Sequence, residues 1–257
     1  MSSRGQVTAF VLLGLVLLAL IGLLLFYQTN IFQLTPTQES LQTEMDAIED
    51  HILGCLGDVG EDPLRQLGLQ GGFLETPANT YRLFNDTAIS YLCSNMAGVP
   101  QCRNRMLLKS QMETAISKSV EATLSQCLDV QSFRRFGRFD ILTPPRGTVT
   151  TVINRDSTIV TFDYPLTLRS RQSTLEVSRT EGFSKAFDVP LGDLYGVAMD
   201  IVDAEAEFGE FDQLFYMLSK KGEYTIQKWR PYPDKVYILT KRNHDYVFQF
   251  AIEDEAL

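Results

Sequence analysis

Histidine is scarce in this sequence, which has only His51 and His244 among its 257 residues. Two histidines are few for a metal enzyme or for acid–base catalysis. No cysteine pair has the C-x-x-C spacing, and no Cys/His cluster has the spacing of a zinc site. The chain also lacks the glycine-rich phosphate loop motifs and the G-x-S-x-G nucleophile motif. These absences disfavour an enzyme, and we expect no cofactor.

Positive charge is also limited, because 32 acidic residues outnumber 23 basic ones and the formal net charge is −9. An acidic surface repels phosphate backbones, so nucleic acid is not an expected partner. Between Arg4 and Arg65 the chain has no lysine or arginine at all. This gap contains a long apolar run.

The apolar run Val7–Tyr27 contains no charged residue. As a helix it would rise about 30 Å, which matches the hydrocarbon thickness of a bilayer. No small-residue cleavage pattern follows it, which favours an uncleaved anchor over a secretory signal. The sequence therefore predicts a single-pass transmembrane helix at 7–27 with the lipid bilayer as partner. The positive-inside rule places residues 1–6 in the cytoplasm and the bulk of the chain outside it.

Four cysteines in a translocated domain favour two disulfides over free thiols. Three pairings are open. We prefer Cys93–Cys102, which closes a short loop, together with Cys55–Cys127, which would tie two helices together. Four free buried thiols are the alternative, and they become the leading interpretation if the topology is inverted.

Periodicity predicts an α+β fold with a disulfide-stabilised helical part at 35–140, after a neck at 28–34, and a mixed part with antiparallel strands at 146–257. In the helical part, apolar spacings of three and four predict one helix through Cys55 and another from Arg105 to Val130. A short helix is predicted from Asn85 to Cys93. The mixed part is predicted to contain these elements: a strand hairpin at 148–153 and 158–164, a helix at 191–208, and strands at 224–229, 235–240 and 246–252.

Two further sites follow from local pattern. Asp200, Asp203 and Glu207 fall on one helix stripe; a solvated face is the preferred interpretation, and a weak cation site is the alternative. Asn85-Asp86-Thr87 is an N-glycosylation sequon, which has meaning only outside the cytoplasm.

The N-terminal residues Ser3-Arg4-Gly5-Gln6-Val7-Thr8, followed by the apolar run, resemble the class III signal segment of archaeal type IV pilin-like proteins. The resemblance implies cleavage between Gly5 and Gln6 by a prepilin peptidase and bundling of the apolar helix in a filament core. Phe10 stands where that family usually carries glutamate.

The rest of the chain looks like a group of single-pass proteins of small-genome archaea to which no activity is assigned. That resemblance implies the same membrane topology and the Cys55–Cys127 pairing. The stretches that carry it are Gly54-Cys55-Leu56, Leu67 to Phe73, Cys127-Leu128, Asp163 to Leu166 and Phe250-Ala251.

The sequence thus predicts a membrane-anchored cell-surface or envelope protein that acts by binding or assembly, as a homo-oligomer or with an envelope protein. A pilin-like filament subunit is the alternative. An extracytoplasmic enzyme of unknown reaction is the second alternative.

Overall fold

The computed structural model describes residues 4–32, 37–96, 99–129 and 139–254. In these ranges the chain is α+β. The helices are α1 (Arg4–Phe32), α2 (Gln38–Leu69), α3 (Lys109–Cys127), α4 (Leu191–Phe208) and α5 (Gln213–Ser219). The strands are β1 (Tyr81–Phe84), β2 (Thr87–Met96), β3 (Val99–Asn104), β4 (Phe139–Leu142), β5 (Thr148–Ile153), β6 (Thr158–Asp163), β7 (Leu166–Ser170), β8 (Glu176–Arg179), β9 (Phe183–Phe187), β10 (Tyr224–Trp229), β11 (Lys235–Lys241) and β12 (Val247–Ile252).

The chain divides into two compact units. The first comprises Met1–Ala47, Gln131–Leu142 and Leu166–Arg179; the second comprises Ile48–Val130, Thr143–Pro165 and Thr180–Leu257. These boundaries do not coincide with the predicted division into 35–140 and 146–257, because segments of the first unit interrupt the second.

The first unit contains a small antiparallel sheet in the order β4-β7-β8. Burial alternates along β4 and β7, because successive side chains of a strand point to opposite faces. The inward residues are Phe139, Ile141, Leu166, Leu168 and Ser170. Helix α1 belongs to the same unit, and its large apolar side chains from Val11 to Tyr27 are all exposed.

The prediction of a membrane span at 7–27 is contradicted. In the part of the chain that the structure describes, no helix is both long and apolar enough to cross a membrane. The single-pass topology with a cytoplasmic N-terminus, which depended on this span, is therefore also contradicted.

The predicted neck at 28–34 is helical as far as Phe32, where α1 ends. Residues 33–34 of this neck, and residues 1–3 of the predicted short N-terminus, lie outside the described residues.

The second unit has a six-stranded sheet in the order β1-β2-β12-β11-β10, with β3 also paired to β2. The β2–β12 pair is parallel, whereas the other pairs are antiparallel. A three-stranded sheet β5-β6-β9 lies in the same unit. Helix α4 packs on β11, β12 and β3, and helix α3 packs on β5. The apolar stripes of these helices form the core with the inward side chains of the strands.

Several predicted elements are present, and one is wrong. The β5–β6 hairpin, helix α4 and the last three strands lie within one or two residues of their predicted positions. The predicted helix from Asn85 to Cys93 is instead strand β2, with Asn85 in the two-residue turn that precedes it. Residues 87–90 pair with β1 across this turn, and Tyr91 and Cys93 pair in parallel with the distant β12, so strand pairing overrides the local pattern.

Both preferred disulfides are present. The Cys55–Cys127 bond joins α2 to the end of α3 with a Cα–Cα distance of 5.9 Å. The Cys93–Cys102 bond joins the paired strands β2 and β3 with a Cα–Cα distance of 5.3 Å. All four cysteines are therefore oxidised, and the disulfide prediction is confirmed.

Candidate functional site

The most unusual chemistry of the second unit is a buried charged cluster on α4, β10 and β11. Glu205 is 3% exposed and accepts hydrogen bonds from Lys235 Nζ at 2.8 Å and from the Tyr237 hydroxyl. Lys228 Nζ lies 3.5 Å from the same carboxylate. We call these four residues the Glu205 cluster. Buried charges are costly unless they are paired and hydrogen-bonded, and here each has a partner.

The local sequence explains why these side chains meet. Glu205 lies four residues after Ile201 on the buried stripe of α4, so the helix points it into the sheet. Lys235 and Tyr237 are two residues apart on β11 and therefore share one face. Lys228 of β10 is the direct cross-strand partner of Tyr237.

Two members of the Glu205 cluster, Glu205 and Lys235, line a cleft of about 370 Å³. Lys235 Nζ also donates to the Gly209 carbonyl at 2.6 Å and lies 3.3 Å from Asp254. Glu210 pairs with Lys228 and accepts two hydrogen bonds from Arg230 at 2.8 and 2.9 Å. The cleft is also lined by Glu207 and Glu253, so carboxylates dominate its walls.

Protonation limits what the Glu205 cluster can do chemically. Burial alone would lower the pKa of Lys235, but its hydrogen bond to Glu205 and the nearby Asp254 carboxylate outweigh burial and raise it. Burial and the hydrogen bond to Glu205 raise the pKa of the Tyr237 hydroxyl. Both groups keep their protons at neutral pH, so neither serves as a nucleophile or a general base. The arrangement suits structural support or binding.

A second feature is the surface of α1. From Val11 to Tyr27 its large apolar side chains are between 45% and 68% exposed, and they occupy every side of the helix. Helices that are apolar all round are normally buried in a larger apolar assembly. This surface is therefore a candidate interaction site.

The three side chains of the predicted acidic stripe do not converge on a common point. Asp200 accepts a hydrogen bond from Tyr216 at 2.7 Å, Asp203 lies 3.5 Å from the Asn104 amide, and Glu207 lines the cleft. Within the described ranges, no three His, Cys, Asp or Glu side chains form a group that could hold a metal ion.

The remaining predicted residues lie apart from one another. Gly5 and Gln6 are in the first turn of α1, and exposed Asn85 sits at the β1–β2 turn. His51 lies in α2. His244 lies in the turn before β12, and its Nδ1 is 3.8 Å from the Asp188 carboxylate. Prepilin-type cleavage and glycosylation remain predictions.

Sequence reasoning missed the Glu205 cluster. Glu205 stands between Asp203 and Glu207 in the sequence, where a solvated acidic stripe is predicted, so its burial is not apparent from the charge pattern. The available signal was its spacing from Ile201 and Val202, which places it on the apolar side of α4. The alternation in β11 could also have placed Lys235 and Tyr237 on one face.

Comparison of the chain with protein-family models, curated proteins and solved structures found no match.

Proposed function

We propose that this protein acts by assembly, with α1 as the element through which copies of the chain associate. The observation that carries the proposal is the exposure of every large apolar side chain of α1 between Val11 and Tyr27. Burying one leucine-sized side chain contributes roughly 1.5–3 kcal/mol. A helix with so many of them gains a large free energy from any apolar partner.

A second copy of α1 is the occupant that this surface fits. Leu13, Leu17, Leu20 and Leu24 recur at spacings of four and three, which places them on one stripe. Such a stripe packs against its equivalent in a neighbouring helix, as in helical bundles. The other faces of α1 are also apolar, so more than two helices can take part.

The setting that we propose is an oxidising compartment. Both disulfides lie in the second unit, and such bonds persist mainly outside reducing cytosol.

A filament is one form of this assembly, and the resemblance to pilin-like segments supports it. Prepilin-type cleavage after Gly5 would remove Arg4, the first positive charge of the chain. Intact-mass measurement of the native protein detects this cleavage. Loss of residues 1–5 together with sheared fibres that contain the chain favours the filament, whereas an intact N-terminus in a discrete oligomer favours a closed assembly.

Sedimentation velocity of the full chain tests the proposal. We expect association that increases with protein concentration and that is lost when Leu17→Glu and Leu24→Glu are combined. The matched control combines Leu17→Met and Leu24→Met, which keeps the surface apolar and should still associate. A chain that stays monomeric in detergent-free buffer contradicts the proposal, as does a chain that binds lipid vesicles only as a monomer.

A further inference from the structure

A cavity in the second unit has a volume of about 730 Å³. Helix α3 forms one wall, and the segment from Pro145 to Gly147 together with the end of β6 forms the other. Its volume falls in the range of small-molecule sites, about 300–1,000 Å³. It does not involve α1, so an inference from it is independent of the assembly proposal.

Two aromatic rings line this cavity. Phe162 is 3% exposed and Tyr164 is 9% exposed, and their centroids lie 4.9 Å apart with an interplanar angle of 14°. Gly147 allows the Phe162 ring to lie there, because an added Cβ would come within 2.2 Å of it. Together with buried Leu124 of α3, the stacked rings present an apolar surface to a ligand.

The Tyr164 hydroxyl is a polar group of the cavity lining. Tyr164 is more than nine-tenths buried, lines the cavity, and makes no hydrogen bond to any residue that the structure describes. A hydroxyl in this position is available to a bound molecule.

The rim of the cavity is positively charged, which is unusual for a chain with a net charge of −9. Lys118 and Arg146 line it, and neither forms an ion pair with a described carboxylate. Among the residues of the lining that the structure describes, Glu121 is the single acidic one. Charges farther away than about 8 Å are largely screened at physiological salt, so this local excess of cations dominates the field that a ligand meets.

We propose that this cavity binds a small planar organic anion, such as an aromatic carboxylate. The apolar ring of the ligand packs against Tyr164 and Leu124. Its anionic group pairs with Lys118 and Arg146, and one of its oxygens bonds the Tyr164 hydroxyl. An aromatic body and an anionic end thus each meet a complementary part of the same cavity.

A series of three probes with the same ring and different charge tests the proposal on the full-length chain. Indoleacetate is the anion, indoleacetamide is neutral, and tryptamine is the cation. Binding measured by ligand-observed NMR and calorimetry should be strongest for indoleacetate. We expect it to bind about tenfold more tightly than tryptamine, because two rim cations face one carboxylate.

Variants locate the site. Tyr164→Phe removes only the hydroxyl and should weaken indoleacetate binding about fivefold. Lys118→Gln combined with Arg146→Gln should weaken it about tenfold and abolish the preference over tryptamine. Lys221→Gln, which changes an exposed cation outside the cavity lining, is the matched control and should change nothing.

Three results would overturn the proposal. The first is failure of all three probes to bind the unaltered chain, which requires no variant to fold. The second is tighter binding of tryptamine than of indoleacetate. The third is indoleacetate affinity that none of the cavity substitutions changes, while their thermal midpoints show that the variants are folded.

Discussion

Replacing Glu205 with glutamine should destabilise the second unit far more than an isosteric surface substitution does. Glutamine keeps the volume of the side chain but removes the negative charge that faces two buried ammonium groups. Lys228 and Lys235 have only 3% and 5% of their side chains exposed. Water therefore cannot replace the lost carboxylate.

The magnitude follows from the partners that remain. Removing one partner of a buried ion pair typically costs 3–5 kcal/mol. Lys235 would keep Asp254 at 3.3 Å, and Lys228 would keep Glu210, so the cost should fall at the lower end of that range. We expect the free energy of unfolding to drop by about 3 kcal/mol.

Urea unfolding followed by tryptophan fluorescence measures this effect, because the single tryptophan of the chain, Trp229, follows Lys228 on β10. Glu207→Gln is the matched control on the same helix. It is exposed and should change stability by less than about 0.5 kcal/mol. Glu205→Met combined with Lys235→Met should cost less than Glu205→Gln alone, because it removes both charges of a pair.

The reasoning is refuted if Glu205→Gln and Glu207→Gln have the same effect. Such a result would mean that the buried ammonium groups lose nothing when the carboxylate is removed. The electrostatic account of the Glu205 cluster would then be wrong.

Three further outcomes are expected. Combined Cys55→Ala and Cys127→Ala should lower the free energy of unfolding by about 4 kcal/mol, because that disulfide closes a loop with a sequence separation of 72. Reductant should destabilise the unaltered chain but have a smaller effect on the variant. Burial would raise the pKa of Asp193, but hydrogen bonds from neighbouring cations and a tyrosine lower it. The stability that the Asp193 carboxylate gives to the fold is therefore complete above about pH 4 and is lost as the pH falls through the folded pKa. Acid unfolding of Asp193→Asn should depend less on pH. Tyr91→Phe removes the 2.7 Å hydrogen bond to buried Asp234 and should cost about 1 kcal/mol in thermal or urea unfolding; an unchanged midpoint would show that this bond contributes nothing.

Local pattern was sufficient for several elements that contact their neighbours in sequence, although not for the β1–β2 hairpin. The β5–β6 hairpin has alternating β-branched residues on both sides of a short turn, and α4 has an apolar stripe at helical spacing. The disulfide between Cys93 and Cys102 followed from loop length alone. These features depend on interactions over few residues, which a sequence displays directly.

Distant contacts determined what the sequence could not predict. Strand β2 has a helix-like pattern but pairs in parallel with β12, more than 150 residues away. The segments of the two compact units alternate along the chain, so no single shift in composition marks the boundary between them. The Glu205 cluster unites α4 with β10 and β11, and only the pairing of those strands brings Lys228 beside Tyr237.

Disulfide trapping tests the central claim, assembly through α1, most directly. All four native cysteines are already bonded, so Leu20→Cys adds the only free thiol, and Lys220→Cys provides an exposed control outside α1. Packed helices lie about 8–10 Å apart, close enough for facing thiols to join. Mild oxidation should give a covalent dimer from Leu20→Cys in high yield and little dimer from Lys220→Cys. Equal yields from the two variants, or no dimer from either, would contradict assembly through this helix.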